Sequence, residues 1–442
     1  MAMKILLVAG YFPPYAPVSA TRVNKLAKYL LERGHDVRVL APKNAGFPAV
    51  MQPEIPAERV IFTPVFEVLE VPGRLKSALK GWLGKPPAST PPATAPAAEG
   101  TPSVPVRQPW WSRLSTLYAA IVSTPDSRIG WYRPAVRAGR ALFTRWRPDI
   151  IYASAPPHTG LLVAARLARL SGAPWVCEYR DLWVDHPYYD GGRVRRWIES
   201  RLENRTLNSA AGLVTVTRTW ADWLAKEHRQ PVEFVMNGYD PADYPDEVIE
   251  PLDRERLTII YTGGIYPGKR DPAALFAALA LMGDEARRVR VIFHMPEALE
   301  LVRQLAATHG VTESVEVSGL IPRKEAIRRQ RGADLLLLLR WDDPREDSVL
   351  AGKLFEYIGA RRPILSVGSE TGEAAAIIRD QGFGVVANNP QAIADALRAW
   401  LPQKRGGLIP PPAGDVESFA RPRQFARLEN FLEKLISSRS GA

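Results

Sequence analysis

Short continuous apolar runs recur along the chain. Each is followed by a glycine- or proline-bearing loop and then by apolar residues at helical spacing, which predicts strands buried on both faces alternating with helices. The first is KILLVA (residues 4–9), followed by a loop over 10–17 and a helix over 19–33. In that helix Val23, Leu26, Ala27, Leu30 and Leu31 share one face, and Gly34 stops it. The strand DVRVLAP completes a βαβ unit whose first loop lies at a strand's carboxyl end, where open α/β sheets bind ligands. From Pro148 the pattern restarts with strand DIIYASA, a loop over 156–160, helix LLVAARLARLSG and strand PWVCEYR. A helix over 194–208, strand GLVTVT, a helix over 220–227 and strand VEFVMNG follow.

The acidic, proline-rich stretch 240–253 has little periodicity and marks a domain boundary. Beyond it come strand LTIIYTGG, helix 272–282, strand VRVIFHM, helix 297–309, strand VEVSGL, helix 323–332 and strand DLLLLLR. An acidic loop, helix 352–360, strand PILSVG, helix 373–381, strand FGVVA and helix 390–401 complete the run. Two successive alternating halves predict an α/β chain of two doubly wound domains facing a cleft, residues 1–240 and 241–422, with a helix and tail over 423–442.

Composition alters this picture in three places. The chain has 40 prolines, and eight of them fall within 85–109, which predicts a flexible insertion in the first domain. Lys and Arg exceed Asp and Glu, 58 to 47, and the net charge of +11 calls for an anionic partner or surface. The basic segments 74–83 and 110–147 carry Trp82, Trp110, Trp111, Trp131 and Trp146, which suits either an anionic lipid interface or helices packed on the domain. Cys177 is the only cysteine, so an intrachain disulfide and a multi-cysteine zinc site are excluded. No apolar run reaches the length of a membrane span, the first apolar run is too short for a secretion signal, and a cytosolic protein is expected.

The chemistry-bearing residues stand where the pattern places strand ends. The strand ending in Thr262, Gly263 and Gly264 is followed by Lys269, and Asn237–Gly238 precedes Asp240 between the halves. G-K-L-F-E-Y (352–357) opens the helix before A-R-R-P-I-L. With E-Y-R-D-L-W (178–183) and P-D-x-x-x-x-W (125–131), these motifs in this order resemble glycosyltransferase family four, of the GT-B fold, and within it the bacterial cell-surface polysaccharide branch. The resemblance covers almost the whole chain. It implies two Rossmann-like domains, the first for an acceptor and the second for a nucleotide-sugar, with the C-terminal helix packing back on the first.

Such enzymes expel a diphosphate, and positive groups must meet it. Lys269 can supply an ammonium, or be a solvated loop lysine; the helix starting near Gly352 offers free N–H groups and its positive dipole end. Lys353 can add charge there or cap a surface. The resemblance implies a donor site of Gly263, Gly264, Lys269, Ser348, Lys353, Leu354 and Glu356, with Glu356 binding the ribose hydroxyls as the second Glu of the family's E-x(7)-E motif. The first Glu, expected near the donor sugar, is Ser348 here, and Glu346 and Asp347 are out of register. Gly264 stands where the family has a phosphate-contacting Arg.

On the acceptor side, the loop over 13–22 with Ser19 and Arg22 resembles the family's Gly-rich loop, and Arg180 and Asn237 join it. Asp181 can orient or deprotonate an acceptor hydroxyl, Arg180 can hold a phosphate or pair with Asp181, and His158 either serves catalysis with Lys269 and Asp181 or packs its loop. The resemblance implies transfer with retention, the donor's own phosphate oxygen taking the acceptor proton. The sequence has no D-x-D and no helix-borne histidine pair, so no metal and no cofactor is expected. The expected partners are a nucleotide-sugar donor, a lipid-linked saccharide acceptor and the cytoplasmic face of the inner membrane, in capsule, lipopolysaccharide or exopolysaccharide assembly. Nucleic acid is not expected, since no recognition motif accompanies the charge. A non-catalytic nucleotide-sugar binder or scaffold stays open, on the strength of Ser348.

Overall fold

The computed structural model describes residues 2–14, 20–43, 51–66, 124–186 and 188–440. Ser19, the proline-rich 85–109, and the basic segment with Trp82, Trp110 and Trp111 lie outside the described residues. The chain divides into two compact units, one of Met1–Leu213, His228–Pro231 and Leu432–Ala442, the other of Val214–Glu227 and Val232–Phe431.

The first sheet has seven strands in the order β3-β2-β1-β4-β5-β6-β7. These are β1 (Lys4–Ala9), β2 (Asp36–Pro42), β3 (Val60–Thr63), β4 (Ile150–Ala155), β5 (Trp175–Tyr179), β6 (Gly212–Thr215) and β7 (Val232–Phe234). The helices between them are α1 (Thr21–Glu32), α2 (Tyr132–Leu142), α3 (Thr159–Ser171), α4 (Gly192–Leu207) and α5 (Arg218–Glu227). β1 pairs in parallel with β2 and with β4, so the strand order reverses there, and the β1 and β4 loops open at the switch point.

The second sheet has six strands in the order β10-β9-β8-β11-β12-β13: β8 (Leu257–Thr262), β9 (Val289–His294), β10 (Val315–Ser318), β11 (Leu335–Leu339), β12 (Ile364–Val367) and β13 (Gly384–Ala387). Its helices are α6 (Ala273–Met282), α7 (Leu299–Thr308), α8 (Arg323–Gly332), α9 (Gly352–Gly359), α10 (Gly372–Asp380) and α11 (Pro390–Trp400), and the chain ends in α12 (Arg421–Ser440). β8 pairs in parallel with β9 and β11, which sets a second switch point. The five leucines of β11 show why such strands read as unbroken apolar runs. Leu335, Leu337 and Leu339 pack into one core, while Leu336 and Leu338 point the other way into a second core with Leu354, Phe355 and Ile358 of α9.

The predicted strands and helices are present to within a few residues at their ends, and the GT-B architecture holds. β3 has no counterpart in the sequence pattern, being a four-residue edge strand with three half-buried residues before the buried Thr63. Trp131 and Trp146 do not form a lipid-facing surface. Trp131 is fully buried and its indole N–H donates to Thr63 Oγ1 at 2.7 Å, tying α2 to the edge strand; the Trp146 indole donates to Asp36 at 2.7 Å. Among the described residues no helix is long and apolar enough to cross a membrane.

Gly368, just past β12, has φ +123°, and a Cβ there would stand 2.0 Å from the Arg340 carbonyl oxygen. Gly368→Ala is therefore expected to cost about 2–4 kcal/mol, through a disfavoured backbone conformation and a main-chain clash. Chemical denaturation measures it.

Candidate active site

The donor-side residues gather in the second unit, at the carboxyl ends of β8 and β11 and the start of α9. Lys353 is half-buried, with its Nζ 3.8 Å from the Tyr261 ring centroid. A Cβ on Gly263, where φ is +130°, would lie 2.6 Å from that Nζ. The TGG motif is thus the complement of Lys353: the strand's end must be bare for the ammonium to lie against it. The Lys353 ammonium is packed between the end of β8 and the Tyr261 ring. Burial pulls its ammonium down to about 7, with the charge of Arg270 acting the same way and Glu356 opposing.

Gly352 opens α9 after Ala351, and no side chain caps the helix start or places an acid in its first turn. Its first N–H groups and the positive end of its dipole are left for an anion. Leu354 is buried in the core and its N–H donates to the Ala351 carbonyl at 3.0 Å, so the N–H groups of Gly352 and Lys353 are the ones left at the helix start. Lys269 is exposed on the loop after β8, with its Nζ 4.9 Å from the Trp341 ring centroid. Gly264 donates no charge, but its carbonyl accepts a hydrogen bond of 2.5 Å from the Tyr261 hydroxyl.

Two arginines that the sequence did not single out complete this half. Arg270 is ion-paired with the buried Glu346. Arg340, at the end of β11, is 5 % exposed; it donates to the carbonyls of Ser369 (2.7 Å) and Thr371 (3.1 Å), and its second terminal nitrogen has no partner among the described residues. A buried guanidinium nitrogen with nothing to bond is costly, and an anion would satisfy it. The carboxylates beside Ser348 are both engaged, Glu346 by Arg270 and Asp347 by the Ser369 and Thr371 hydroxyls at 3.0 and 2.9 Å. Glu356 is half-buried and accepts from Arg323 at 2.5 Å, while Arg323 also reaches Asp243 at 2.9 Å. Asn237 belongs to this unit, its carbonyl accepting from Arg421 at 3.1 Å.

The acceptor-side residues fall into two groups within the first unit. His158 and Asp181 share a pocket of about 340 Å³ with Trp183, His186 and Tyr188. The imidazole of His158 stacks on Trp183 with centroids 4.8 Å apart, and its Nε2 has no partner among the described residues. Burial, then the charges of His186 and Arg180, pulls His158 down to about 3, so at neutral pH its ring is uncharged and resists taking up a proton. Asp181 lies 3.9 Å from the His186 ring nitrogen, and Arg180 donates to the Pro156 carbonyl at 2.7 Å.

Arg22 stands apart from that pocket. It is 4 % exposed, and its Nε donates at 2.8 Å to Glu178 of β5, which is fully buried. Burial pushes the Glu178 carboxyl up, but Arg22, the Ser154 and Tyr152 hydroxyls and Arg180 together outweigh this and hold it below the usual range. Sequence reasoning also missed Glu199. It is 1 % exposed on α4 and gathers Arg195 (2.7 Å), the Tyr189 hydroxyl (3.0 Å) and the Trp183 indole (3.3 Å), thereby holding the pocket's aromatic wall. Among the described residues there is no cluster of three His, Cys, Asp or Glu suited to a metal ion.

This fold is shared with solved structures of low sequence identity. Sucrose-phosphate synthase from Thermosynechococcus elongatus is 12% identical, with 99% of this chain and 100% of that chain covered, at TM-score 0.63. Anabaena Alr3699/HepE, solved in complex with UDP, is 14% identical over 100% of both chains, at TM-score 0.55. The lipopolysaccharide outer core galactosyltransferase WaaB, in its apo form, is 12% identical over 99% of this chain and 100% of that one, at TM-score 0.54. The class so defined is the GT-B fold. Residues 19–240, half of the chain, match the model of the glycosyl transferase 4-like domain, and the chain belongs to that family of glycosyltransferases. No curated protein sequence matches it.

The Arg22–Glu178 pair yields a stability prediction. Arg22→Met leaves a buried carboxylate without its cation and is expected to cost about 3–5 kcal/mol; adding Glu178→Gln should recover part of the loss. Denaturant unfolding of both variants checks this, and a single variant within about 1 kcal/mol of the parent would contradict it.

Proposed function

We propose that the chain transfers a sugar from a nucleoside diphosphate sugar to a lipid-linked saccharide at the cytoplasmic face of the inner membrane, in bacterial surface polysaccharide assembly. The observation that carries this reading is the ammonium of Lys353 lying against bare Gly263 at the uncapped start of α9. A diphosphate leaving group needs such fixed positive charge as the bond to the sugar breaks. Lys269 and Arg270 add to it from the β8 loop, and Glu356, held by Arg323, accepts from the ribose hydroxyls. The bond between the anomeric carbon and the diphosphate oxygen breaks, the acceptor oxygen bonds to the same face of that carbon, and its proton passes to the departing phosphate oxygen. Configuration is retained, and protein cations do the work that a divalent ion would do elsewhere. His158 and Asp181, which share a pocket, serve the acceptor hydroxyl. UDP is the first nucleotide to test, because the Anabaena structure holds it.

A second reading, a nucleotide-sugar binder without turnover, is favoured by Ser348 in place of a carboxylate and by the engagement of Glu346 and Asp347 elsewhere. Turnover in an acceptor assay decides between them.

Lys353 gives the site a pH signature. A diphosphate favours the charged amine, so affinity is full below pH 7 and falls as pH rises through 7, by up to about tenfold per pH unit. Calorimetry with UDP, with and without EDTA, should show proton uptake on binding at pH 8, unaffected by EDTA and absent in Lys353→Met. Glu356→Ala should weaken binding while keeping the proton uptake. A pH-independent affinity would sink the role given to Lys353.

A further inference from the structure

The first unit carries a surface that the transfer reaction does not use. A groove of about 680 Å³ runs between α2, α3 and α4, lined by Arg133, Arg137, Arg140, Arg166, Arg169 and Arg205. The first three recur at i, i+4 and i+7 on α2, and the next two stand three apart on α3, so each helix presents its arginines as a stripe. All six are exposed, and no ion pair joins any of them to a carboxylate among the described residues. The floor beneath them is apolar, with Val136, Leu162 and Leu202. Six like charges gathered without a counter-charge repel one another, and an anionic surface relieves that repulsion.

The same face continues along α4 as exposed apolar side chains. Val194 is 72 % exposed, Trp197 57 % and Ile198 41 %. Val194, Ile198, Arg201 and Arg205 follow one line at i, i+4, i+7 and i+11, and the Arg201 guanidinium lies 3.8 Å from the Trp197 ring centroid. An indole flanked by arginines, set beside a basic groove with an apolar floor, matches the boundary between lipid phosphates and acyl chains. A nucleic acid would satisfy the arginines and leave Val194, Trp197 and Ile198 in water.

We infer that the α2–α3–α4 face of the first unit docks on an anionic phospholipid surface, the arginines meeting lipid phosphates and Trp197, Val194 and Ile198 entering the headgroup layer. The inference rests on the proposed membrane-bound acceptor and names the surface that reaches it: α2 falls within the basic segment 110–147, while the exposed indole is Trp197 of α4. Each basic residue near an anionic surface contributes on the order of fivefold in affinity.

The test is sedimentation of the full-length protein with vesicles of phosphatidylcholine alone or mixed with phosphatidylglycerol, comparing the parent with R137A/R166A/R169A and with V194S/W197S. The parent should bind only the mixed vesicles, and more weakly as salt rises. The arginine variant should lose about a hundredfold. The apolar variant should lose affinity too, and both should keep the parent's melting temperature, since every altered side chain is exposed. If the parent ignores mixed vesicles, the membrane reading and this surface both fall. If it binds them and both variants bind equally well, the membrane reading stands and this surface is overturned. Unchanged vesicle binding with loss of binding to a labelled single-stranded oligonucleotide would overturn it as well.

Discussion

Both sheets are parallel and covered on both faces, and this constraint governs where everything else can be. An unpaired polar group on a strand so enclosed is costly, and few strand side chains, Tyr152, Ser154 and Ser366 among them, carry one. Chemistry is therefore displaced to strand ends. β11 is five leucines and then Arg340; β8 ends at Thr262 and the next residues are two glycines; β4 is buried throughout and His158 follows it three residues later. Where strand order reverses, at β1/β4 and β8/β11, neighbouring loops diverge and leave space at those ends. The exceptions obey the same rule. Asp334, fully buried before β11, is saturated by Lys404 at 2.9 Å and by the N–H groups of Thr258 and Ile409.

What the sequence disclosed follows from how local each signal is. Apolar runs and helical spacing are local, and they placed all but one of the strands in the described residues. The GKLFEY motif placed Lys353 and Glu356 together because eight residues of helix fix their spacing. Arg340, Arg270 and Glu199 carried no local mark. Arg340 matters because Ser369 and Thr371 lie across the fold from it, and Glu199 because Trp183 and Tyr189 turn towards it. A glutamate on a helix reads as solvent-facing until the chain folds over it. The tryptophans misled for a related reason: indoles among arginines suggest an interface, but an indole N–H that finds Thr63 across the sequence makes a core residue of Trp131.

Charge is arranged differently in the described parts of the two units. Many arginines of the second unit are matched by acids, as Arg290 is by Glu316, Arg398 by Glu285 and Arg345 by Asp343. Such exposed pairs contribute little to stability, but they cancel the far field. Among the described residues the arginines of α2 and α3 have no such matches, so unpaired positive charge gathers where α2, α3 and α4 meet.

The hydrogen bond between Trp131 and Thr63 has a consequence for how such a chain can vary. Thr63 closes the edge strand, and Trp131 opens the helix that leads into the next strand. Residues 68 positions apart are thus tied at one buried point, and that tie does not depend on the length of chain between them. Strand order and register on either side need not change. The first unit thus has a place where sequence can be gained or lost during evolution while the frame that positions His158 and Asp181 stays as it is.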